Sequence, residues 1–431
     1  MYRDHEFLYE DRGELWVEDV RAKDLADRFG TPLYIYSERE ICRRIAELRS
    51  VMERYGDVQA AYSSKAFSCI AMTQLVAREG LWLDIVSEGE LRTAEKAGFD
   101  MEKVLFNGSN KSLKEIRYAI ELGVGQIVVD ATDELELIQQ MSEGQKKITK
   151  VLLRIAPSIS PRSHPYLATG EKGAKFGIPI DEEVIDFQIE RAMAFSNIEL
   201  LGFHFHIGSQ IFEVMPYLMA LDKMLALVER SREKFGFETK MLDLGGGYGI
   251  RYTNEERRGF AYYIEPMMEK IERFFKERKW QRPSILLELG RSIVGEAGLS
   301  LYTIGSVKEI PGLCTYASVD GGMFENIRPA LYGAKYQAVA TQKLDALYER
   351  EYQIAGSCCE SGDILIRQAM LPELERGDLL AILSTGAYGY SMAGNYNKYP
   401  KPAVVLVSGV EAKIIVRRQS VDQLIENELF L

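Results

Sequence analysis

The sequence has few cysteines and few histidines, and it lacks any long apolar run. Five of its 431 residues are cysteine and four are histidine. Apart from the adjacent pair Cys358 and Cys359, the cysteines are scattered, and their odd number and spacing resemble neither a disulfide framework nor a set of zinc ligands. No apolar stretch approaches the length that spans a bilayer. The sequence therefore predicts no metal centre and no membrane segment.

Basic residues are also fewer than acidic residues. The chain carries 53 Lys and Arg residues against 64 Asp and Glu residues, for a formal net charge of −11. Nucleic acids and anionic membranes both bind through basic surfaces, so we expect neither as a partner. The charged stretch 1–14 contains no apolar signal region, and we expect a cytoplasmic protein that acts on a small molecule.

Short β-rich runs alternate with helix-like segments through the first part of the chain. Strands that alternate with helices predict βαβ units and a parallel sheet. Eight such units in roughly 250 residues are typical of a closed (β/α)₈ barrel, although an open doubly wound sheet has the same periodicity. The eight runs lie at 58–62, 81–86, 103–106, 126–130, 150–156, 199–207, 240–245 and 284–289.

Past about residue 295 the pattern changes to alternating strands that are separated by turn residues. Runs such as DILIRQAML and EAKIIVRR have few helix-length stretches between them, which predicts an antiparallel β domain. The N-terminal runs GELWVEDV and TPLYIYS are also strand-like. We expect a barrel over 38–295, and a discontinuous β domain that combines 1–37 with 296–431.

Polar residues follow the predicted barrel strands at the end where barrel enzymes carry their active sites. Lys65 is a candidate for a Schiff base with an aldehyde, because a partly desolvated lysine at a barrel mouth is a suitable nucleophile. Most lysines, however, are solvated surface charges. The residues at these strand ends are Lys65, Asp84, Asn107, His204, His206, Ser209, Glu288 and Arg291.

Three consecutive glycines, Gly245, Gly246 and Gly247, follow the seventh strand. They let backbone N–H groups approach an anion closely, and the loops after strands seven and eight often bind phosphate. A tight turn without a ligand is the alternative. Glu288 has two interpretations as well: a carboxylate that keeps a cofactor ring nitrogen protonated, or half of an ion pair with Arg291.

Two further motifs carry reactive side chains. His204 and His206 alternate along the sixth strand; a metal would need a third ligand that no spacing supplies, which leaves packed imidazoles or stacking on a flat cofactor. In the β domain, SCCESGD (357–363) places cysteines beside acidic residues. Such a thiol is better suited to donate a proton than to attack as a thiolate. A buried structural pair is the alternative.

In their order these motifs resemble the diaminopimelate decarboxylase family. This family is a branch of the fold-type III pyridoxal-phosphate (PLP) enzymes and is related to alanine racemase and ornithine decarboxylase. The resemblance extends from TPLYIYS at 31–37 to SMAGNYN at 391–397 and includes HPYLATGEKGAKFGI at 164–178. It implies an α/β fold with a PLP-binding TIM barrel and an antiparallel β domain like that of alanine racemase. It also implies decarboxylation of meso-2,6-diaminopimelate to L-lysine.

The resemblance implies roles for individual residues. Lys65 resembles the lysine that bonds to PLP, and Cys359 resembles the cysteine that donates a proton. Leu289 stands where the family usually has proline. The expected cofactor-binding residues are Lys65, Asp84, His206, Ser209, Gly245, Gly246, Gly247, Glu288, Gly290, Arg291 and Tyr388. The expected substrate-binding residues are Arg291, Arg328, Tyr332, Glu360 and Tyr388.

The resemblance also implies a head-to-tail homodimer in which Cys359 reaches the partner's cofactor. The nearest alternative is a decarboxylase of another basic amino acid, such as ornithine, or of carboxynorspermidine. Arg328 and Arg291 favour a substrate with a distal carboxylate, since a diamine would need an acidic partner there. A PLP-binding regulatory protein would resemble the barrel alone. A phosphate-sugar barrel enzyme would leave Lys65 and CESGD unexplained.

Overall fold

A computed structural model describes residues 2–159 and 175–431. Most of the family segment at 164–178 therefore lies outside the described residues. The chain divides into two compact units, which we call the barrel unit and the β unit. The barrel unit consists of Ile45–Gly249 and Arg257–Ser292, and the β unit of Met1–Arg44, Ile250–Glu256 and Ile293–Leu431.

The N-terminal residues of the β unit form a small sheet and one strand of a larger sheet. Strands β1 (Leu8–Asp11), β2 (Glu14–Val17) and β3 (Val20–Arg21) pair as antiparallel neighbours, and helix α1 (Ala22–Phe29) follows. Strand β4 (Leu33–Ser37) is buried along its whole length because it joins the larger sheet. The run GELWVEDV thus contributes to the small sheet, and TPLYIYS to the larger one.

Strands and helices alternate through the next part of the chain. In order, the elements are α2 (Glu38–Met52), β5 (Val58–Ser63), α3 (Ile70–Arg78), β6 (Trp82–Ile85), α4 (Glu88–Ala97), β7 (Val104–Phe106), α5 (Leu113–Leu122), β8 (Gln126–Val129), α6 (Glu134–Gln145), β9 (Thr149–Ala156), β10 (Ile178–Pro179), α7 (Glu182–Ala194), β11 (Ile198–Phe205), α8 (Met215–Phe235), β12 (Met241–Asp243), α9 (Phe260–Arg278) and β13 (Ser284–Leu289).

Eight parallel strands of this series close into a barrel. Their order is β5, β6, β7, β8, β9, β11, β12 and β13, and β13 pairs back onto β5. The short β10 extends the sheet from β9. All eight predicted runs are strands, so the (β/α)₈ barrel is confirmed and the open sheet was wrong.

Local sequence signals set the ends of several barrel helices. At the start of α5, the Ser112 hydroxyl accepts the Glu115 N–H while the Glu115 carboxylate accepts the Ser112 N–H, which forms a capping box. Gly98 and Gly123 end α4 and α5 in the left-handed conformation, which glycine adopts at little cost. Among the described helices, none is long and apolar enough to cross a membrane.

The barrel interior is filled in two layers. The first is apolar, with one side chain from each strand: Ala61, Trp82, Leu105, Val128, Leu152, Leu201, Met241 and Leu286. Side chains alternate sides along a strand, so the residue two positions further on faces the interior again. A register shift between Leu200 and Gly202 adds one residue to this spacing in β11. The second layer, which we call the polar layer, consists of Ser63, Asp84, Asn107, Asp130, Arg154, His204, Asp243 and Glu288.

The remaining elements form the larger sheet of the β unit. They are α10 (Arg291–Val294), β14 (Gly298–Ile310), β15 (Cys314–Val319), α11 (Arg328–Tyr332), β16 (Ala338–Ala340), β17 (Arg350–Ala355), β18 (Ile364–Leu371), β19 (Leu379–Ile382), β20 (Ala403–Ser408) and β21 (Glu411–Val416). The sheet order is β18, β17, β15, β14, β4, β20 and β21, with β19 on β14 and β16 on β19. Two pairs, β15 with β17 and β20 with β4, are parallel. The predicted antiparallel domain is therefore mixed, because these partners are not joined by hairpins.

Candidate active site

Lys65 follows β5, and its ammonium group pairs with Asp84 of the polar layer. The distance from Lys65 Nζ to Asp84 Oδ2 is 3.5 Å; the lysine side chain is 38% exposed, whereas the carboxylate is fully buried. Burial raises the pKa of Asp84, the charge of Glu288 raises it further, and Lys65 opposes both effects. The lysine amine is thus accessible from solvent and anchored by a carboxylate.

Hydrogen bonds hold both carboxylate oxygens of Glu288. Asn107 Nδ2 donates to Oε1 at 2.6 Å, and His204 Nε2 lies 3.2 Å from Oε2. Burial alone would raise the pKa of Glu288, but the charge and hydrogen bond of His204 outweigh it and hold the pKa below its usual range. An ionised carboxylate at this strand end can keep a ring nitrogen protonated.

Asp243 lies beside Glu288 and His204. One side-chain nitrogen or oxygen atom from each of these three residues lies within 4.8 Å of those of the other two. Asp243 Oδ1 accepts the Gly245 N–H at 2.8 Å. Burial and the charge of Glu288 raise the pKa of Asp243 well above its usual range. Spacing along the chain did not reveal the cluster of His204, Asp243 and Glu288, because its members come from three neighbouring strands.

The glycine loop after β12 approaches other backbone segments more closely than any side chain allows. A Cβ atom on Gly246 would lie 1.8 Å from the Glu288 carbonyl oxygen, and one on Gly247 would lie 1.9 Å from that of Gly208. Gly245 has φ +63°, in the left-handed region that favours glycine. Only glycine fits the loop, and backbone without side chains is what a phosphate cradle requires.

His206 follows β11. Its Nδ1 accepts the Gly246 N–H at 3.2 Å, and this hydrogen bond assigns the ring proton to Nε2. Burial, together with the positive charges of Lys65 and Arg154, lowers the pKa of His206 well below its usual value. The ring is therefore neutral, which suits contact with a flat cofactor.

The exit of the last barrel strand carries Gly290 and Arg291. The buried Arg291 donates to Ser209 Oγ from Nη2 at 3.0 Å and from Nε at 3.3 Å. A Cβ atom on Gly290 would lie 2.9 Å from the Cβ of Ala66, the residue after Lys65. Glycine at this position therefore lets the strand exit pack against the Lys65 loop.

In the β unit, the buried Asp363 organises the SCCESGD loop. Its carboxylate accepts the N–H of Cys358 at 2.8 Å and that of Met323 at 2.7 Å. Burial, followed by the charge of Asp363, raises the pKa of the buried Cys358 to about 11. Cys359 is exposed, and its N–H donates to Asn397 Oδ1 at 2.7 Å. The pair thus consists of one buried thiol and one exposed thiol on an ordered loop.

Arg328 is buried at the start of α11, between two tyrosines. Its Nη1 donates to the Tyr252 hydroxyl at 3.2 Å and also to that of Tyr336. The guanidinium carbon lies 5.1 Å and 5.7 Å from the centres of the two rings. Tyr332, one turn further along α11, is partly exposed. Tyr252 and Tyr336 therefore hold the Arg328 guanidinium group in one orientation.

Two other candidates in the β unit are open to solvent. Tyr388 is partly exposed and has φ +60°, a conformation that is uncommon for a bulky residue. Such strained positions cluster at active sites and ligand clamps. Glu360 is exposed next to Cys359, and its Oε1 accepts the Gly362 N–H at 3.2 Å.

Comparison with known proteins connects these features to one family. A family model described as pyridoxal-dependent decarboxylase, pyridoxal binding domain, matches residues 38–295. The diaminopimelate decarboxylase of Bacillus subtilis is 44% identical over 419 residues, which cover 97% of this chain and 95% of that protein. The chain belongs to the diaminopimelate decarboxylase family.

Two further diaminopimelate decarboxylases are similar to this chain. The Staphylococcus aureus diaminopimelate decarboxylase is 40% identical and covers 97% of this chain and 99% of that protein. A crystal structure of the M. jannaschii diaminopimelate decarboxylase in complex with L-lysine is 32% identical, with a TM-score of 0.93 and coverage of 99% and 98%. A Vibrio vulnificus lysine/ornithine decarboxylase is 21% identical with a TM-score of 0.76, which shows the shared fold alone. The predicted family and fold class are confirmed.

The barrel site fits PLP, the cofactor of the diaminopimelate decarboxylase family. The glycine loop leaves no room for side chains and suits a phosphate group. The lowered pKa of Glu288 suits a protonated ring nitrogen, and the lowered pKa of His206 suits contact with a ring face. Lys65 supplies an amine for the aldehyde.

The structure places the predicted site residues in both units, and their roles stay predictions. Asn107 and His204 were recognised at the strand ends but were not among the expected binding residues, and Asp243 was not recognised. A sequence signal for them exists, because each lies about two positions beyond an apolar interior residue on its strand. The barrel unit holds Lys65, Asp84, His206, Ser209, Gly245, Gly246, Gly247, Glu288, Gly290 and Arg291, and the β unit holds Arg328, Tyr332, Cys359, Glu360 and Tyr388.

Leu289 has a structural explanation that is independent of the cofactor. It is 1% exposed and is the last residue of β13, where it pairs with Tyr62 of β5. Proline has no N–H to donate to such a ladder. Leucine at this position therefore has an N–H that the family's proline would lack, on a strand that closes the barrel.

Proposed function

We propose that this chain decarboxylates meso-2,6-diaminopimelate to L-lysine and CO₂, the last step of lysine biosynthesis. The observation that carries the proposal is the arrangement of Lys65, the glycine loop and Glu288 around one end of the barrel. This arrangement occurs in a chain that matches diaminopimelate decarboxylases over 97% of its length.

The residues of the barrel unit hold the cofactor in this proposal. PLP, when bound, withdraws electrons from the α-carbon of the substrate and so permits CO₂ to leave. Lys65 would bind the aldehyde group, and Asp84 would keep the lysine in place. The glycine loop and Ser209 would hold the phosphate group. Glu288 would stabilise a protonated ring nitrogen, and His206 would contact the ring.

The exposed cysteine of the β unit supplies the proton in this proposal. Cys359 is exposed, whereas its neighbour Cys358 is buried with a raised pKa, so Cys359 is the thiol that can reach a substrate. Asp363 and Asn397 hold the loop backbone and so limit its movement. Cys359 donates a proton to the α-carbon after CO₂ has left.

We further propose a homodimer in the cytoplasm, with active sites that the two chains share. Cys359 and Glu360 of one chain then serve the barrel site of the partner. All five cysteines are free thiols, as is usual in a reducing compartment. The family resemblance supports the shared site.

The substrate is tested by supplying purified, PLP-loaded protein with several amino acids. Diaminopimelate is expected to release CO₂ and L-lysine, and L-lysine and ornithine are expected to remain largely unchanged, because neither has a distal carboxylate. Product is measured by chromatography. Efficient release of putrescine from ornithine would contradict the proposed substrate and favour the alternative class.

We propose that Arg328 binds the distal carboxylate together with Arg291 and Tyr332, as the family resemblance implies. Arg328→Ala is expected to lower kcat/KM for diaminopimelate by at least about tenfold, because one charge-assisted contact is lost. Arg328→Lys keeps the charge but loses the planar fork, and it is expected to recover only part of this loss. Steady-state kinetics of both variants, with folding checked by circular dichroism, measure the effect. Unchanged kcat/KM in Arg328→Ala would remove the residue from the substrate site.

A further inference from the structure

Asn107 contacts two carboxylates of the polar layer through a single nitrogen atom. Its Nδ2 donates to Asp84 Oδ1 at 2.8 Å and to Glu288 Oε1 at 2.6 Å. The three residues are 3%, 1% and 5% exposed. Carboxylates only accept hydrogen bonds, so the amide must turn its NH₂ group, with two N–H donors, toward them.

Two buried carboxyl groups in one site normally hold one proton between them. The same tendency exists here, because burial and then the charge of Glu288 raise the pKa of Asp84. The amide of Asn107 counters it, since each carboxylate receives an N–H that cannot be transferred as a proton. Lys65 also counters it on the Asp84 side.

We propose that Asn107 is a positioning residue that prevents Asp84 and Glu288 from sharing a proton. Both groups then stay charged, so that Asp84 pairs with Lys65 and Glu288 pairs with the ring nitrogen of the cofactor. The inference rests on the proposed function, which gives Glu288 that partner. Among the residues that the structure describes, the other titratable groups that face the two carboxylates are Lys65, Glu90, His204, His206 and Asp243.

Asn107→Asp is the sharpest variant, because it keeps the shape of the side chain and adds a proton that can be lost. At low pH the new carboxyl group is protonated and can donate as the amide does. As the pH rises, the new carboxyl group either stays protonated or ionises and adds a third negative charge to those of Asp84 and Glu288. Its pKa in the folded protein is therefore expected to lie above the unfolded value of about 3.9.

This shift makes the stability of the variant depend on pH. A carboxyl group with a raised folded pKa contributes its full stability below the unfolded pKa and loses it as the pH rises toward the folded pKa. The unfolding temperature of cofactor-free Asn107→Asp is thus expected to fall relative to the parent protein from roughly pH 4 upward. Asn107→Leu adds no titratable group, so the same fall with rising pH in this variant would come from a proton shared by Asp84 and Glu288, and a purely structural role of Asn107 would give Asn107→Leu a difference that does not change with pH.

The affinity for PLP provides a second measurement. At neutral pH, Asn107→Asp is expected to bind PLP at least about tenfold more weakly, equivalent to one pKa unit of lost interaction, and the loss is expected to shrink in acid. Asn107→Leu lacks a donor and is expected to weaken PLP binding as well. Asn110→Asp adds the same charge at an exposed position of the same loop and is expected to change neither measurement. PLP binding is followed by absorbance titration.

The outcomes separate this inference from the proposed function. If the parent protein binds PLP and decarboxylates diaminopimelate while Asn107→Asp shows the same affinity and the same pH profile, the positioning role is overturned and the function stands. If the parent protein does not bind PLP, the proposed function and the cofactor part of the inference fail together. The unfolding experiment then still decides whether Asn107 prevents a shared proton.

Discussion

Lys65→Ala is expected to lower the rate of decarboxylation by about a thousandfold or more. The variant loses the amine that we propose binds the cofactor and exchanges with the substrate amine. The polar layer does not include Lys65 and stays intact, so the variant is expected to fold, as measured by circular dichroism. Decarboxylation is measured as CO₂ release. Residual activity within tenfold of the parent protein would show that another amine does this chemistry.

Reduction with borohydride identifies the amine directly. It is expected to attach PLP permanently to the peptide that contains YSSKAFSC, as measured by mass spectrometry after digestion. Lys111 provides an internal control, because it is also a barrel-unit lysine. Its buried Nζ donates to Glu134 at 2.8 Å and to the carbonyl oxygens of Gly108 and Val128. A label on Lys111, or on any lysine other than Lys65, would contradict the assignment.

Mixing two inactive variants is expected to restore activity if the sites are shared. Lys65→Ala chains mixed with severely impaired Cys359→Ala chains form hybrid dimers in which one site has lost both residues and the other has kept both. With random reassortment half of the dimers are hybrids, so about a quarter of the parent activity is expected to return. No recovery, in samples where hybrids are shown to form, would refute the shared site.

A matched mixture tests the same geometry in the opposite direction. Parent chains mixed equally with chains that carry both Lys65→Ala and Cys359→Ala form hybrids with no intact shared site, so about a quarter of the full activity is expected. If both residues served the same chain, each hybrid would keep one intact site and about half would remain. Native mass spectrometry confirms that reassortment has occurred.

The barrel could be predicted because its strands are buried and short. Each of the eight runs, from VQAAY to SILLEL, alternates with a helical segment, and all eight are strands in the structure. Closure could not be predicted in the same way. It depends on the pairing of β13 with β5, and Leu289, which stands where the family has proline, takes part in that pairing.

The candidate site was only partly predictable for a similar reason. Motifs that are continuous in the sequence, such as Gly245–Gly247, could be recognised from the sequence alone. The hydrogen bonds of Asn107 and the position of Asp243 did not, because they depend on contacts between strands that are far apart in the chain. The division of Cys358 and Cys359 into buried and exposed thiols also depends on a partner, Asp363, whose role a linear motif does not show.

The register shift in β11 determines which way both strand-six histidines face. Without the register shift, the alternation that runs through Leu200 would turn His204 outward, away from Glu288. The shift depends on Gly202, which has φ +154° and whose Cβ would lie 2.0 Å from the Met241 carbonyl oxygen. The orientation of both imidazoles thus depends on Gly202, which precedes the two histidines in the chain and has no side chain of its own.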